Sequence, residues 1–344
     1  MRVALIARWL SSAVAVAALA AAGVASAQKT QLTVYTALET DQLKAYTEGF
    51  NKVYPDIELM WVRDSTGIIT AKIMAEKAAP KADVIMGVAA TSLAIFEQEG
   101  MLLPYAPAGL SRIAPQYRDP KNPPSWVGMD VWGATICFNT VEAAKRNIPK
   151  PETWQDLTKP VYKGQIVMPH PASSGTGFFD VTAWLQIYGE ANGWKFMDGL
   201  HENIAQYMHS GSKPCASAAA GEFVVGISFE YRANREKARG APVELVFPKE
   251  GLGWDLEAIG IVRTTTKLDA AKKLEDWAAS DAAMALYAAN FAIVAVPSMS
   301  KPLPNVPADY ASRLAKNDFA WAAKNRDKIL AEWSKRYESK AAPK

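Results

Sequence analysis

Residues Ile166 to Glu190 read I-V-M-P-H-P-A-S-S-G-T-G-F-F-D-V-T-A-W-L-Q-I-Y-G-E, and the folding of this stretch decides the class of the whole chain. Ile166, Val167 and Met168 are a short apolar run of the kind that makes a buried strand. Pro169 and Pro171 break it. Ser173, Ser174, Gly175, Thr176 and Gly177 follow, and then an apolar-periodic run from Phe178 to Tyr188. That order is strand, tight turn, helix start. A helix start leaves its first backbone N–H groups without internal partners and carries the positive end of the macrodipole. Glycines let those groups approach a ligand and hydroxyls add donors, so the turn suits a tetrahedral oxyanion. Capping by Ser173 or Ser174 accounts for the same residues with no ligand at all; the rest of the chain favours a binding site.

On the N-terminal side, Gln31–Thr36 alternates and is rich in β-formers, so it reads as an opening strand. A helical stretch runs from the loop Ala37–Asp41 to Tyr54, with Thr40 or Asp41 as its expected cap. Ile57–Val62 is a second strand, Ile68–Lys77 a second helix and Ala82–Met86 a third strand. This alternation implies a parallel sheet with helices on its faces, and such sheets bind ligands at the carboxyl ends of their strands. Loops 37–41, 64–67 and 87–92 lie there. Trp132–Asn139 reads as a long strand opening a second βα series. Its later parts are a helix at 150–157, the strand at 164–168, a helix at 193–205, a strand at 223–229 ending in Glu230-Tyr231-Arg232, and strands at 243–247 and 257–263. The tail, 268–291 and 309–337, is amphipathic helix. Two βα series joined by two long strands predict two lobes around a cleft.

Composition bounds the possibilities. With 344 residues, 49% apolar and 21% charged, the chain is globular and long enough for two domains. Arg2 and Arg8, the alanine-rich run 13–24 and Ala25-Ser26-Ala27 fit an export signal over residues 1–27, cleaved after Ala27. Its loss takes Lys+Arg from 38 to 36 against 35 Asp+Glu, a formal charge of +1. Near-neutrality without basic tracts argues against nucleic acid. Cys137 and Cys215 in an exported protein are a possible disulfide, with two buried thiols as the alternative. No His or Cys pairs sit at metal-ligand spacing, so neither metal nor cofactor is expected.

Six segments carry a resemblance: V-Y-T-A-L-E at 34–39, A-D-V-I-M-G at 82–87, W-G-A-T-I-C-F-N-T at 132–140, P-H-P-A-S-S-G-T-G at 169–177, A-A-A-G-E-F-V-V-G-I-S-F-E-Y at 218–231 and F-P-K-E-G-L-G-W-D-L-E-A-I-G-I at 247–261. Together they resemble the solute-binding proteins of ABC importers, in the two-lobed class that includes the ferric-iron-binding proteins. S-G-S-K-P-C at 210–215 and G-W-D-L-E-A at 253–258 look most like the branch that binds 2-aminoethylphosphonate. The resemblance implies an α/β periplasmic binding protein of type II, each lobe a mostly parallel sheet flanked by helices, with the ligand between the lobes. Lobe 1 is expected to be discontinuous, 28–131 plus 264–344, and lobe 2 to span 132–263, with hinge strands near 132–139 and 258–263. It further implies a periplasmic, non-enzymatic monomer that hands its solute to an inner-membrane permease. Ferric relatives carry two adjacent tyrosines where this chain has Glu230-Tyr231, and one tyrosine with one glutamate is a thin site for Fe(III). Ferric iron and a phosphate-type oxyanion are therefore the alternatives.

An aminoalkylphosphonate has a tetrahedral anionic head and an ammonium. Ser173, Ser174, Gly175, Thr176 and Gly177 are the expected head contacts, with Ser65 and Thr66 from the opposite lobe. Charge-assisted hydrogen bonds of this kind contribute about 1.5–3 kcal/mol each. Glu39, Glu230 and Asp255 are the candidates for the ammonium, and Tyr35, Tyr231 and Trp254 for cation–π walls. An exported phosphoester or phosphonate hydrolase is the rival from another class. Only His170, His201 and His209 are available as bases, and H-P-A-S-S is not the G-x-S-x-G elbow.

Overall fold

A computed structural model describes residues 29–343. The export signal expected at 1–27 lies outside the described residues. The chain opens with β1 (Thr30–Thr36), α1 (Thr40–Asn51), β2 (Ile57–Arg63), α2 (Thr66–Ala75), β3 (Val84–Ala89) and α3 (Ala90–Gln98). The short β4 (Leu102–Leu103) and an irregular proline-rich segment lead to β5 (Val127–Asn139), buried along its whole length. Next come α4 (Thr140–Arg146), β6 (Ile166–Pro169), α5 (Gly175–Tyr188), α6 (Glu190–Asn203), β7 (Ile204–Met208), α7 (Lys213–Ala219), β8 (Val225–Phe229), α8 (Glu230–Ala238) and β9 (Val243–Val246). The chain closes with β10 (Trp254–Val262), α9 (Leu268–Ala278), α10 (Asp281–Tyr287), β11 (Ile293–Val294), α11 (Tyr310–Arg313) and α12 (Phe319–Tyr337).

The fold is two-lobed α/β. β1 pairs parallel to β2 and β3, and β6 pairs parallel to β7 and β8. Between these groups run β10 and β5, both antiparallel to their neighbours, so the whole is mixed rather than purely parallel. β5 is the shared strand. Residues 127–133 pair with β10 and residues 134–138 with β8, so one continuous strand enters both lobes. Two aliphatic and aromatic clusters cover the faces of the first sheet, and one large cluster fills the second lobe around Trp154, Trp184 and Phe196. α12 joins them: Phe319 packs on the first lobe beside Trp254, while Trp333 and Tyr337 lie in the core of the second.

Several local expectations change. Neither Thr40 nor Asp41 caps α1; Glu39 holds the N-cap position, and its N–H donates to the Gln42 side chain at 2.8 Å. The helix expected at 150–157 is only a 3-10 turn at Gln155–Thr158, because Asp156 accepts from the Glu152 and Thr153 amides and fixes a loop instead. Glu230-Tyr231-Arg232 does not finish β8; it starts α8. Residues 204–208, expected partly as helix, form strand β7. The tail helix 268–291 is cut in two by Ser280, whose hydroxyl accepts from the Ala283 amide.

Candidate functional site

The C-terminal ends of β1 and β2, the start of α5 and the middle of β10 converge on a pocket between the lobes with about 440 Å³ of empty space, part of it open to solvent. Ala37, Glu39, Arg63, Ser65, Thr66 and Gly87 line it from the first lobe. Ser174, Gly175, Thr176, Gly211 and Phe229 line it from the second, with Trp132 and Glu257 from the two central strands. Of the residues expected for the anionic head, Ser65, Thr66, Ser174, Gly175 and Thr176 are therefore together.

Ser174 is both cap and lining. Its hydroxyl accepts from the Gly177 amide at 3.4 Å, which closes the first turn of α5. Ser65 precedes α2 and its side chain makes no capping bond. Ser173 and Gly177 lie outside the lining. The buried Ser173 hydroxyl meets His209 Nδ1 at 3.3 Å, and His209 Nε2 meets the Ala342 carbonyl at 2.8 Å. A carbonyl only accepts, so Nε2 carries a proton, and the Ser173 hydroxyl also has the His170 carbonyl within reach at 3.4 Å.

The lobes touch on both flanks of the cavity. The Gly67 N–H donates to the Ser173 carbonyl at 3.0 Å, and a Cβ on Gly67 would stand 2.1 Å from the Ala172 carbonyl oxygen. Only glycine admits that approach. On the other flank, Arg232 pairs with Glu39, the Tyr231 hydroxyl donates to Asp41 at 2.9 Å, and Arg235 reaches Asp41 at 3.0 Å. Burial pushes the Asp41 carboxyl up, but the Tyr231 hydroxyl with Arg232 and Arg235 outweighs it and holds the group below the usual range. The geometry is that of a closed cleft.

The candidates for the ammonium divide. Glu39 lines the cavity but already faces Arg63 at 3.6 Å as well as Arg232. Glu230 is fully buried outside the lining, where one oxygen accepts the Gly133 N–H at 2.8 Å; burial pushes its carboxyl up to about 8. Asp255, also buried, takes the Thr91 hydroxyl at 2.7 Å, and burial pushes it up to about 7. Tyr35 points to Glu76 at 2.9 Å, Tyr231 to Asp41, and the Trp254 indole N–H to the Ala315 carbonyl at 2.7 Å. The lining instead brings in Glu257, Arg63, Trp132 and Phe229. The expected strands stopped at Val62 and began at Glu257, whereas β2 runs on to Arg63 and β10 starts at Trp254, which is what brings Arg63 and Glu257 to the lining. Cys137 on β5 and Cys215 on α7 are joined as a disulfide, with Cα atoms 5.3 Å apart.

Known proteins bear on this geometry. A family model described as bacterial extracellular solute-binding protein matches residues 79–324. An uncharacterized protein of Haemophilus influenzae is 33% identical over 274 residues, 79% of each chain. A probable ABC transporter periplasmic-binding protein of Sinorhizobium fredii is 27% identical over 306 residues, 87% of this chain and 83% of that one. Among solved structures, the periplasmic binding protein AfuA from Actinobacillus pleuropneumoniae, with exogenous fructose-6-phosphate bound, matches with a TM-score of 0.84 at 29% identity. That match covers 90% of this chain and 99% of AfuA. Among the described residues no helix is long and apolar enough to cross a membrane.

Proposed function

The chain belongs to the family of bacterial extracellular solute-binding proteins, and from that premise we propose that it carries 2-aminoethylphosphonate, or a close aminoalkylphosphonate, to the permease of an ABC importer. It does so as an exported, periplasmic monomer. One observation supports the reading above the others: hydroxyls and a helix start share a single interlobe pocket with carboxylates. Ser65, Thr66, Ser174, Gly175 and Thr176 take the phosphonate oxygens, and Arg63 adds positive charge beside them. Glu257 takes the ammonium, because Glu39 is already matched by two arginines while Glu230 and Asp255 face other partners. Trp132 and Phe229 wall the short alkyl chain. Solute stabilises the closed form by its difference in affinity for the closed and open states, and by no more than that.

A phosphate ester of a sugar is the second reading. It is favoured by the similarity to AfuA, whose structure holds fructose-6-phosphate, and by the aromatic walls. The same hydroxyls hold the head, and hydroxyl groups replace the ammonium.

Calorimetric titration of the mature protein separates these readings, with 2-aminoethylphosphonate, ethylphosphonate, phosphate, fructose 6-phosphate and Fe(III) as titrants. Tight binding of 2-aminoethylphosphonate with ethylphosphonate at least tenfold weaker, about 1.4 kcal/mol, supports the aminophosphonate reading. A response to fructose 6-phosphate alone replaces it with the second, and heat with iron alone overturns both.

A further inference from the structure

β5 and β10 run antiparallel with Asp130 and Glu257 directly opposite each other. Asp130 is fully buried, and neither of its carboxyl oxygens has a donor. Glu257 lines the solute cavity, yet its Oε2 is buried and also lacks a donor. Directly opposed residues of antiparallel strands project their side chains on the same face, so the two carboxyl groups are neighbours. Two bare carboxylates cannot share such a place, since burial and mutual repulsion both penalise the second charge. A single proton between them satisfies two of the three orphaned oxygens, one on each side chain.

Among the described residues, the cations nearest the pair are already matched by another carboxylate. Glu39 in the β1–α1 loop adds negative potential at Glu257, and Glu230 at the start of α8 adds to it once ionised. Behind the pair stand the phenols Tyr46 of α1 and Tyr287 of α10, both buried and held neutral. The nearby guanidiniums, Arg63 and Arg232, are paired with Glu39. Burial, then repulsion, pushes both Asp130 and Glu257 well above the ordinary carboxyl range.

We infer that Asp130 and Glu257 form a proton-sharing acid pair whose Glu257 end receives the solute's cationic tail, so that capture of an ammonium expels the shared proton. This rests on the aminophosphonate reading. In the empty cleft Asp130 carries the proton and donates it to ionised Glu257. When an ammonium donates to Glu257, the positive charge stabilises both carboxylates, the O–H bond of Asp130 breaks, and its proton passes to solvent. The solute stays an ammonium, and the pair goes from one negative charge to two. A solute with a neutral tail leaves the proton in place. Because Asp130 lies on β5, the strand that enters both lobes, and Glu257 lines the cavity between them, the charge of the pair is read where the cleft closes.

Two measurements decide it. In the first, 2-aminoethylphosphonate is titrated at fixed pH in two phosphate-free buffers of different ionisation enthalpy, which counts protons released. Wild type is expected to release up to about one proton more than Asp130→Asn, in which an amide N–H donates permanently to Glu257. The head group ionises equally in both proteins and cancels. In the second, melting temperature is followed against pH for wild type, Asp130→Asn and Glu257→Gln without solute. Both variants are expected to lose part of the wild-type fall in stability above neutral pH. Equal proton release in wild type and Asp130→Asn overturns the coupling, and identical melting profiles overturn the pair. If wild type binds no 2-aminoethylphosphonate, the solute reading falls and the coupling to an ammonium with it, while the melting series still decides whether the pair holds a proton.

Discussion

Gly67 shows how much of this protein's action rests on one missing methyl group. It opens the first turn of α2, and its N–H closes the cleft against the Ser173 carbonyl. A Cβ there would collide with backbone rather than with a flexible side chain, 2.1 Å from the Ala172 oxygen. Gly67→Ala is expected to weaken solute binding by about tenfold or more, because the lobes no longer meet. The same change should leave the unliganded protein equally or more stable, since alanine is favoured over glycine in a helix by up to about 1 kcal/mol. Calorimetry and a melting curve together check the opposed directions; a parallel loss of both would mean that Gly67 serves folding, not closure. The serine-rich turn shows the opposite case, in which local chemistry was already readable. Ser174 does what a cap residue does and lines the cavity as well, so the two explanations for S-S-G-T were never exclusive.

At the scale of elements, α8 is the piece whose role the sequence hid. Its first residues look like the end of a strand, yet they form a helix that sets Tyr231, Arg232 and Arg235 against Glu39 and Asp41 of the other lobe. The Arg232–Glu39 pair is mostly buried, with side-chain exposures of 11% and 14%, so it is screened less than an exposed bridge. It is a latch. Arg232→Ala is expected to lower solute affinity several-fold and to flatten its dependence on salt, as Glu39 loses its cross-cleft cation. Titration at about 0.05 and 0.5 M salt measures this. An unchanged salt slope would show that the latch contributes nothing to closure.

For the whole molecule, the decisive feature is the number of acids buried along the strands and helices behind the cleft. Burial raises Glu230 to about 8 and Asp255 to about 7, and it also raises Asp180 and Glu275. Each of these carboxyls holds a proton in the folded state over a pH range where the unfolded chain has released it. Their contribution to stability is complete below the unfolded value near 4 and is lost as pH rises through the folded values. The melting temperature is therefore expected to fall between about pH 5 and pH 8, and Glu230→Gln to flatten that fall. A profile that rises over this range would place these groups in the ionised state. The two-lobed architecture, the βα order of the first lobe and the hydroxyl-rich turn at 169–177 were all determined by sequence alone. They follow from hydrophobic period, helix starts and turn residues, which act between near neighbours in the chain. Which carboxylate faces the cleft was decided only by the tertiary structure. Asp255 and Glu257 share one face of β10, but two residues separate them by about 7 Å along the strand. That distance puts one beneath Thr91 and the other in the cavity, opposite Asp130. Arg63 and Arg232 likewise claim Glu39 from positions 24 and 193 residues away, the first pairing needing the folded first lobe and the second both lobes folded and closed.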